Sequence, residues 1–280
     1  MSVLNAHIEK FYDCPNLYND IRNRLKERNI DLNNVTRKEI ARFDEFHVRG
    51  AEISKELAEI ANINKAKLLD IGSGIGGPCR MLANEFNCNT IGIDLSKEYV
   101  DTANRLSELV GLNHKTTFIQ GDATNLPFQD NSFDIVWTQQ VQMNISDKLK
   151  FYSEIDRVLH HKGAFIYYEI FKKGKEEVNY PMPWANEYKI SFLEQSSKMN
   201  TILEQLGLIK EQSKDQTESG IKVLEKSLHK IESDSSVLTR INLLMGTNTK
   251  EKITNLLHGL KEGNIHLESG VYRKNNKIVN

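Results

Sequence analysis

The sequence predicts an α/β fold in which helices cover a parallel sheet. Three apolar strands, at residues 67–71, 89–94 and 116–120, alternate with segments of helical periodicity. Strands joined through helices in this way lie parallel in one sheet. A fourth strand ends near Trp137, and a further helix and strand follow it. The first strand runs directly into a turn crowded with glycines, Leu68-Leu-Asp-Ile-Gly-Ser-Gly-Ile-Gly-Gly-Pro78.

The charge balance and the cysteine content indicate which kinds of binding partner the protein can have. The 280 residues contain 37 Lys plus Arg and 38 Asp plus Glu, a balance that gives no electrostatic case for nucleic acid or an anionic membrane. The three cysteines, Cys14, Cys79 and Cys88, form no Cys-x-x-Cys pair, which argues against a disulfide framework or a metal site. No apolar run reaches the length of about 18 residues needed for a spanning helix. We therefore expect a soluble, cytoplasmic protein with a small-molecule partner, and we leave a homodimer open.

The glycine turn predicts a nucleotide cradle. Without side chains at Gly72, Gly74 and Gly76, a ligand can lie against the backbone and meet the free amides of a helix start. The same segment, with Gly77, also satisfies the dinucleotide pattern G-x-G-x-x-G, and an ordinary tight turn is a third interpretation. Asp70 discriminates between the ligands, because a carboxylate suits a cation better than a pyrophosphate. It favours the amino-acid end of S-adenosylmethionine.

Two later carboxylates follow strands in the same way. Asp94 ends the second strand about twenty residues beyond the glycines, where an acidic side chain can take both ribose hydroxyls. A helix N-cap is the alternative, although Ser96 can serve that role. Asp122 follows the third strand and could accept from an adenine amino group while the Ala123 amide donates to the ring. Its alternative is a turn aspartate that bonds its own backbone.

These residues lead to a family resemblance. Asp70-x-Gly-x-Gly-x-Gly76 resembles motif I of the class I S-adenosylmethionine-dependent methyltransferases. Gly121-Asp-Ala-x-x-Leu-Pro-Phe128, Ser132-Phe-Asp-Ile-Val-Trp137 and Arg157-Val-Leu159 follow in the order used by that superfamily. Over roughly residues 66–170 the chain is most similar to the small-molecule branch, which includes sarcosine/dimethylglycine N-methyltransferases and quinone C-methyltransferases. It departs from related chains at Gln140, where histidine is frequent.

The resemblance implies a Rossmann-like fold with a mostly parallel seven-stranded sheet whose last strand is antiparallel. We expect a helical N-terminal lid at residues 1–60 and a methyltransferase core at 61–215. A helical insertion at 216–262 precedes a final edge strand and tail at 263–280.

The resemblance and the strand ends together predict the site residues. The residues expected to bind S-adenosylmethionine are Asp70, Gly72, Ser73, Gly74, Gly76, Asp94, Leu95, Asp122, Ala123 and Gln139. The residues expected to bind the methyl acceptor are Gln140, Met143, Asn144, Tyr180 and Trp184.

The acceptor residues are chosen for their chemistry. Amide side chains after the fourth strand can orient a neutral amine, although any one of them could equally face solvent. The aromatic loop at Tyr180 and Trp184 could attract a methylammonium by cation–π contact, or could serve packing alone. His47 is the candidate catalytic base because an unperturbed histidine titrates near neutral pH, whereas a packing histidine is the alternative.

The predicted function is transfer of a methyl group from S-adenosylmethionine to a small molecule, most directly to an amine nitrogen. Methylation of a carbon or oxygen on a quinone-like or natural-product ring is the first alternative. An NAD-dependent oxidoreductase and a non-catalytic S-adenosylmethionine-binding protein are the others.

Overall fold

A computed structural model describes residues 2–233, 243–246 and 248–275. The strands are β1 (Lys67–Ile71), β2 (Asn89–Asp94), β3 (Thr116–Gln120), β4 (Phe133–Gln139), β5 (Leu159–Lys172), β6 (Leu208–Asp215) and β7 (Ile265–Lys274). The main helices are α1 (Val3–Phe11), α2 (Leu17–Glu27), α3 (Arg37–Asp44), α4 (Ala51–Ile60), α5 (Gly77–Glu85), α6 (Lys97–Leu109), α7 (Lys148–Val158), α8 (Ser196–Leu206), α9 (Thr217–Ser233) and α10 (Thr249–Lys261).

The seven strands form one sheet in the order β3-β2-β1-β4-β5-β7-β6. The first five strands of the chain pair in parallel, and β7 pairs antiparallel with both β5 and β6. This confirms the predicted mostly parallel seven-stranded sheet with an antiparallel last strand. The strand order reverses between β1 and β4, and ligands of open α/β sheets bind at such a point, beyond the carboxyl ends of the strands.

Strand β5 and helix α8 differ in extent from what the sequence pattern predicts. The apolar run at 164–170 predicts a strand, and β5 continues beyond it because it pairs with β7 as far as Lys172. Apolar spacing over 190–206 predicts a helix, but α8 begins only at Ser196. The preceding residues are held elsewhere, since the Phe192 amide donates to the Met143 carbonyl at 2.7 Å. The residues just before α8 therefore lie against the segment that follows β4.

The N-terminal helices pack onto the start of α5. A Cβ built on Gly77 would stand 2.0 Å from the carbonyl oxygen of Asp44, the last residue of α3, so only glycine permits this approach. Beside it, the Arg80 guanidinium forms a 2.9 Å ion pair with Asp44, and both side chains are fully buried. Helix α3 is thus fixed to the helix that follows the glycine turn.

Helices α9 and α10 pack against each other and against β7. Buried side chains that include Leu224 and Leu257 join them to one of the main apolar clusters. Residues 234–242 and 247 of the predicted insertion, and residues 276–280 of the predicted tail, lie outside the described residues. Within the described part of the chain, no helix is both long and apolar enough to cross a membrane.

Candidate active site

A cavity of about 460 Å³ lies where the glycine turn, the ends of β2, β3 and β4, and helix α1 meet. This volume lies in the range of about 300–1,000 Å³ that is usual for small-molecule sites. The predicted site residues that line it are His47, Asp70, Gly72, Ser73, Gly74, Asp94, Leu95, Asp122, Ala123, Gln139, Gln140, Met143, Asn144 and Trp184. Gly76 and Tyr180 do not line it.

The glycine turn is shaped by close packing. Gly72 has φ +70°, and a Cβ there would stand 2.4 Å from Val141 Cγ2. Gly76 has φ +86°, and its Cβ would stand 2.4 Å from Phe118 Cζ. Glycine at position 76 therefore serves the packing behind the cavity, whereas Ser73 lines the cavity and has a buried hydroxyl without a hydrogen-bond partner among the described residues.

Asp70 is a buried carboxyl with little to stabilise its charge. It is 2% exposed, and Cys79 Sγ donates to its Oδ2 at 3.4 Å. Burial raises its pKa to about 8. A carboxyl of this kind has the chemistry to pair with a ligand ammonium, which would restore its ordinary acidity.

Asp94 stands at the end of β2 with both oxygens on backbone amides. Its Oδ2 accepts from Gly74 N at 2.9 Å and its Oδ1 accepts from Ser96 N at 2.9 Å. The N-cap of α6 is Ser96, whose hydroxyl accepts from Tyr99 N, so the helix does not depend on Asp94 for its cap. Each carboxylate oxygen retains a lone pair for a ligand hydroxyl.

Asp122 both bonds the backbone of its own turn and lines the cavity. Its Oδ1 accepts from Thr124 N at 2.8 Å, which is the turn contact, while the residue also lines the cavity. Its Oδ2 accepts from Asn5 Nδ2 at 2.7 Å. Partial burial alone would raise its pKa, but the hydrogen bonds from Thr124 and Asn5 lower it. Asp122 is therefore held as a carboxylate.

His47 lies in a buried polar cluster instead of at a solvated edge. Its Nε2 is 3.0 Å from Gly50 O, 3.2 Å from Ser54 Oγ and 3.1 Å from Gln139 Nε2. The side chain is 6% exposed, and burial lowers its pKa to about 4. The expectation that His47 titrates near neutral pH is therefore wrong, since the buried ring is neutral and weakly basic at that pH.

The amides that follow β4 divide into engaged and free groups. Asn144 Oδ1 accepts from Tyr12 OH at 2.8 Å, and its Nδ2 donates to Trp184 O and Ile190 O at 3.0 and 2.9 Å. Asn144 therefore joins three segments of the cavity wall. Gln140, in contrast, has a buried Nε2 without a hydrogen-bond partner among the described residues.

Of the two predicted aromatic residues in the loop after β5, one lines the cavity and the other does not. Trp184 is 1% exposed and lines the cavity, and its indole N–H donates to Ser191 Oγ at 2.9 Å. Tyr180 is half-buried outside the lining, beside the same Ser191. The position of Tyr180 gives its predicted contact with an acceptor no support.

Sequence reasoning missed two residues that hold the segment after β4. Glu169 Oε2, from β5, accepts from Val141 N at 2.9 Å and Gln142 N at 3.2 Å. Lys148 Nζ donates to the carbonyls of Gln142 and Ile145, at 2.6 Å for the latter. The available signal was a lone carboxylate within the apolar run of β5. Glu169 thus binds backbone amides of the turn at residues 141–145, and Lys148 binds its backbone carbonyls.

Over the residues that the structure describes, no group of three or more His, Cys, Asp or Glu side chains is arranged to hold a metal ion.

Comparisons with known proteins agree with this geometry. Residues 69–167 match the family model described as "Methyltransferase domain". The chain is 38% identical over 103 residues to sterol 24-C-methyltransferase of Aspergillus fumigatus, which is 37% of this chain and 27% of that protein. It is 32% identical over 103 residues to glycine/sarcosine/dimethylglycine N-methyltransferase of Actinopolyspora halophila, 37% of this chain and 18% of that protein. The chain thus spans about a quarter or less of the length of these relatives.

A solved structure extends the likeness beyond the matched segment. Phosphoethanolamine N-methyltransferase 2 of Haemonchus contortus superposes with a TM-score of 0.72 at 20% identity, covering 86% of this chain and 58% of that one. At this identity the superposition shows the fold. Residues 69–167 are therefore similar to a methyltransferase domain, and the chain has the Rossmann-like fold of that solved methyltransferase.

Proposed function

We propose that this protein transfers a methyl group from S-adenosylmethionine to a small molecule, with an amine nitrogen as the acceptor atom. The observation that carries the proposal is the row of three carboxylates, Asp70, Asp94 and Asp122, along one cavity at the ends of β1, β2 and β3. Their order along the neighbouring strands β1, β2 and β3 suits a ligand with an ammonium, a ribose and an adenine. A pyrophosphate would meet the carboxylate of Asp70, which disfavours the oxidoreductase alternative.

The residues present fit the cofactor. Asp70 lacks a cationic partner in the described structure, and the Ser73 hydroxyl is buried without a hydrogen bond, so both groups have unmet demand that a ligand would fill. When bound, S-adenosylmethionine supplies an activated methyl group. The acceptor lone pair forms the new bond to carbon as the carbon–sulfur bond breaks, and that electron pair stays on sulfur.

The protein's part in this reaction is alignment and exclusion of water. Met143 and Trp184 bring apolar surface to the cavity, and helix α1 adds Ile8. An amine acceptor must present its lone pair, and an apolar surrounding favours the neutral amine over the ammonium. His47, with its pKa lowered to about 4, is neutral at the same pH and adds no charge to the cavity.

Methylation of carbon or oxygen remains the second candidate function. The relative from Aspergillus fumigatus is named for methylation of a sterol carbon, and the apolar wall formed by Met143 and Trp184 would suit a ring acceptor equally well.

The three free cysteines further support the proposal of a reducing, cytoplasmic setting.

A two-stage experiment tests the proposal. Calorimetry first measures binding of S-adenosylmethionine and NAD to the full chain. Release of S-adenosylhomocysteine and transfer of labelled methyl are then followed over a panel of amines and phenols. We expect binding of the first cofactor alone and transfer to a member of the amine group. Binding without any transfer would favour the non-catalytic alternative, and transfer to phenols or ring carbons alone would replace the amine assignment.

A pair of variants sharpens the first stage. Asp94→Ala removes hydrogen bonds from a charged group, each worth about 1.5–3 kcal/mol, so affinity for S-adenosylmethionine should fall by about 100-fold or more. The control is Asp101→Ala, which removes an exposed carboxylate on α6 whose side chain is 52% accessible. Unchanged affinity in Asp94→Ala would contradict the cofactor assignment.

A further inference from the structure

The charges of the cavity are unevenly distributed. The carboxylates of Asp70, Asp94 and Asp122 line the part next to the glycine turn and the ends of β2 and β3. Among the described lining residues, Lys150 is the single Lys or Arg, and it lies near enough to Asp122 to lower the pKa of that carboxyl. Its charge therefore belongs to the cofactor end.

The lining also contains a set of apolar side chains, which we call the acceptor wall: Ile8, Phe46, Val141, Met143 and Trp184. These side chains are apolar, and a hydrogen-bonded chain from Tyr12 through Asn144 to the carbonyl of Trp184 holds the wall together.

Neither His47 nor Asp44 offers a positive charge to the acceptor wall, and the phenol of Tyr12 and the carboxyl of Asp147, which also line the cavity, cannot carry one. His47 is neutral because burial lowers its pKa to about 4. Asp44 also lines the cavity, and the buried guanidinium of Arg80 balances its charge at 2.9 Å. An anionic acceptor would thus lose its hydration without gaining a cationic partner from the described lining of the acceptor wall. Burial of an unpaired charge is strongly unfavourable.

Polar recognition at the acceptor wall falls to Gln140. The side chain of Asn144 is fully used by the protein, and Gln139 Oε1 accepts from Ser54 Oγ at 3.2 Å while its Nε2 faces His47. Gln140 Nε2 is buried and has no such partner within the described structure. An unpaired buried donor is costly, so a ligand oxygen that accepts from it would restore a hydrogen bond.

The backbone of Gln140 is also unusual. Its φ is +55°, a left-handed conformation that side-chain-bearing residues adopt infrequently. Its amide is held by a 2.8 Å hydrogen bond to Tyr168 O. Such conformations persist where the surrounding structure fixes them, and they concentrate at functional sites.

We propose that the methyl acceptor is a largely apolar molecule without phosphate, carboxylate or sulfonate groups, and that Gln140 Nε2 donates a hydrogen bond to an oxygen of it. This inference rests on the proposed function and specifies its substrate class. The lone pair that attacks the methyl carbon cannot also accept this hydrogen bond, so the accepting oxygen is a second polar atom of the acceptor.

Matched pairs of acceptors test the charge rule. N-Methylaniline and 4-(methylamino)benzoate form one pair, and 4-methoxyphenol and 4-hydroxybenzoate form a second. Binding to the protein loaded with S-adenosylhomocysteine is measured by calorimetry, and turnover by release of S-adenosylhomocysteine. We expect the neutral member of a pair to bind at least about tenfold more tightly, which corresponds to 1.4 kcal/mol.

The outcomes separate this inference from the proposed function. Preference for the anionic members, equal affinity within every pair, or binding of none of the probes would overturn the substrate class. Binding of the neutral members without turnover would uphold the substrate class while contradicting catalysis.

A variant tests the Gln140 hydrogen bond separately. Gln140→Met keeps the length of the side chain and removes the donor. The probes are two amines, one on a tetralone ring and one on a tetralin ring, which differ only in that a carbonyl group replaces a ring methylene. We expect wild type to bind the carbonyl compound more tightly, and we expect Gln140→Met to lose that preference. Affinity for S-adenosylhomocysteine serves as the folding control. A preference retained by Gln140→Met would refute the role of Gln140.

Discussion

The Asn5 carboxamide donates a 2.7 Å hydrogen bond to Asp122 Oδ2, so the first helix of the chain contacts the carboxylate that follows β3. A second bond links the two regions, since Gln120 Nε2 donates to Glu9 Oε1 at 3.0 Å. Helix α1 therefore covers the predicted adenine end of the cavity through polar contacts, and these can form and break more readily than a packed core.

The first prediction concerns this contact. Replacing Asn5 with alanine removes a hydrogen bond to a charged group, worth about 1.5–3 kcal/mol, and should speed dissociation of S-adenosylmethionine by about tenfold or more. Stopped-flow fluorescence measures the rate, and Lys10→Ala on the exposed side of α1 is the control. If Asn5→Ala binds the cofactor more tightly than wild type, Asn5 competes with the adenine instead of covering it.

The second prediction follows from the pKa of Asp70, which burial raises to about 8. The free protein holds this carboxyl protonated at neutral pH, and a cationic ligand favours the ionised form, so binding of S-adenosylmethionine should release a proton. Affinity should rise between about pH 6 and about pH 7.5. Calorimetry at one pH in phosphate and in Tris detects the proton as a buffer-dependent heat. Asp70→Asn should abolish that dependence, and a wild-type heat equal in both buffers would argue against the assignment.

The third prediction concerns His47. Because burial lowers its pKa to about 4, the pH–rate profile should lack a limb near pH 6.5 that belongs to this residue. In His47→Gln we expect unchanged cofactor affinity and turnover reduced by about tenfold through loss of the contacts to Ser54 and Gln139. Normal turnover in this variant would discard a role in the reaction, and a wild-type limb near pH 6.5 that disappears in it would restore histidine as an ordinary base.

The fourth prediction concerns Glu169 and the turn that it holds. Glu169→Leu leaves the amides of Val141 and Gln142 without their acceptor, at about 1–3 kcal/mol each, and should lower both stability and turnover. Glu169→Gln keeps an acceptor oxygen and should recover most of the turnover. Denaturant unfolding and acceptor kinetics measure the two effects. Equal kinetics in the two variants would show that the hydrogen bonds do not position the turn.

Glu169 also carries a pH signature. Burial raises its folded-state pKa to about 7, above the value of 4.5 expected in the unfolded chain. The folded state therefore binds this proton more tightly, and the contribution to stability is lost as pH rises from 4.5 to about 7. Glu169→Gln should remove that part of the slope of unfolding free energy against pH. A slope identical to wild type would contradict the raised pKa.

Much of this fold could be predicted from sequence because its signals are local. Strands β1, β2 and β3 have the predicted bounds, since each is a short apolar run with a turn residue at its end. The end of α8 also follows from a local signal, since Gly207 stands at the C-cap with φ +91°, a conformation that favours glycine. The carboxylates at strand ends were visible for the same reason, because parallel strands bring their carboxyl ends to one edge.

The rest depends on contacts between distant residues. No local pattern shows that Asn144 would be bound by Tyr12 and Trp184, or that burial would shift the pKa of His47. Tyr180 and Trp184 share one aromatic motif, yet only Trp184 faces the cavity. The difference arises from the path of the loop beside Ser191, which composition does not encode.

The joint between Gly77 and Asp44 limits how the protein can be rebuilt. Removing residues 1–60 would take away the carboxylate that pairs with the buried guanidinium of Arg80 and would uncover the surface of α5 on which Asp44 packs. The N-terminal segment is therefore not a detachable module. A chimera that joins another N-terminal segment to this core would need a carboxylate in the place of Asp44 to pair with Arg80. It would also need a helix end whose backbone can pack directly on Gly77.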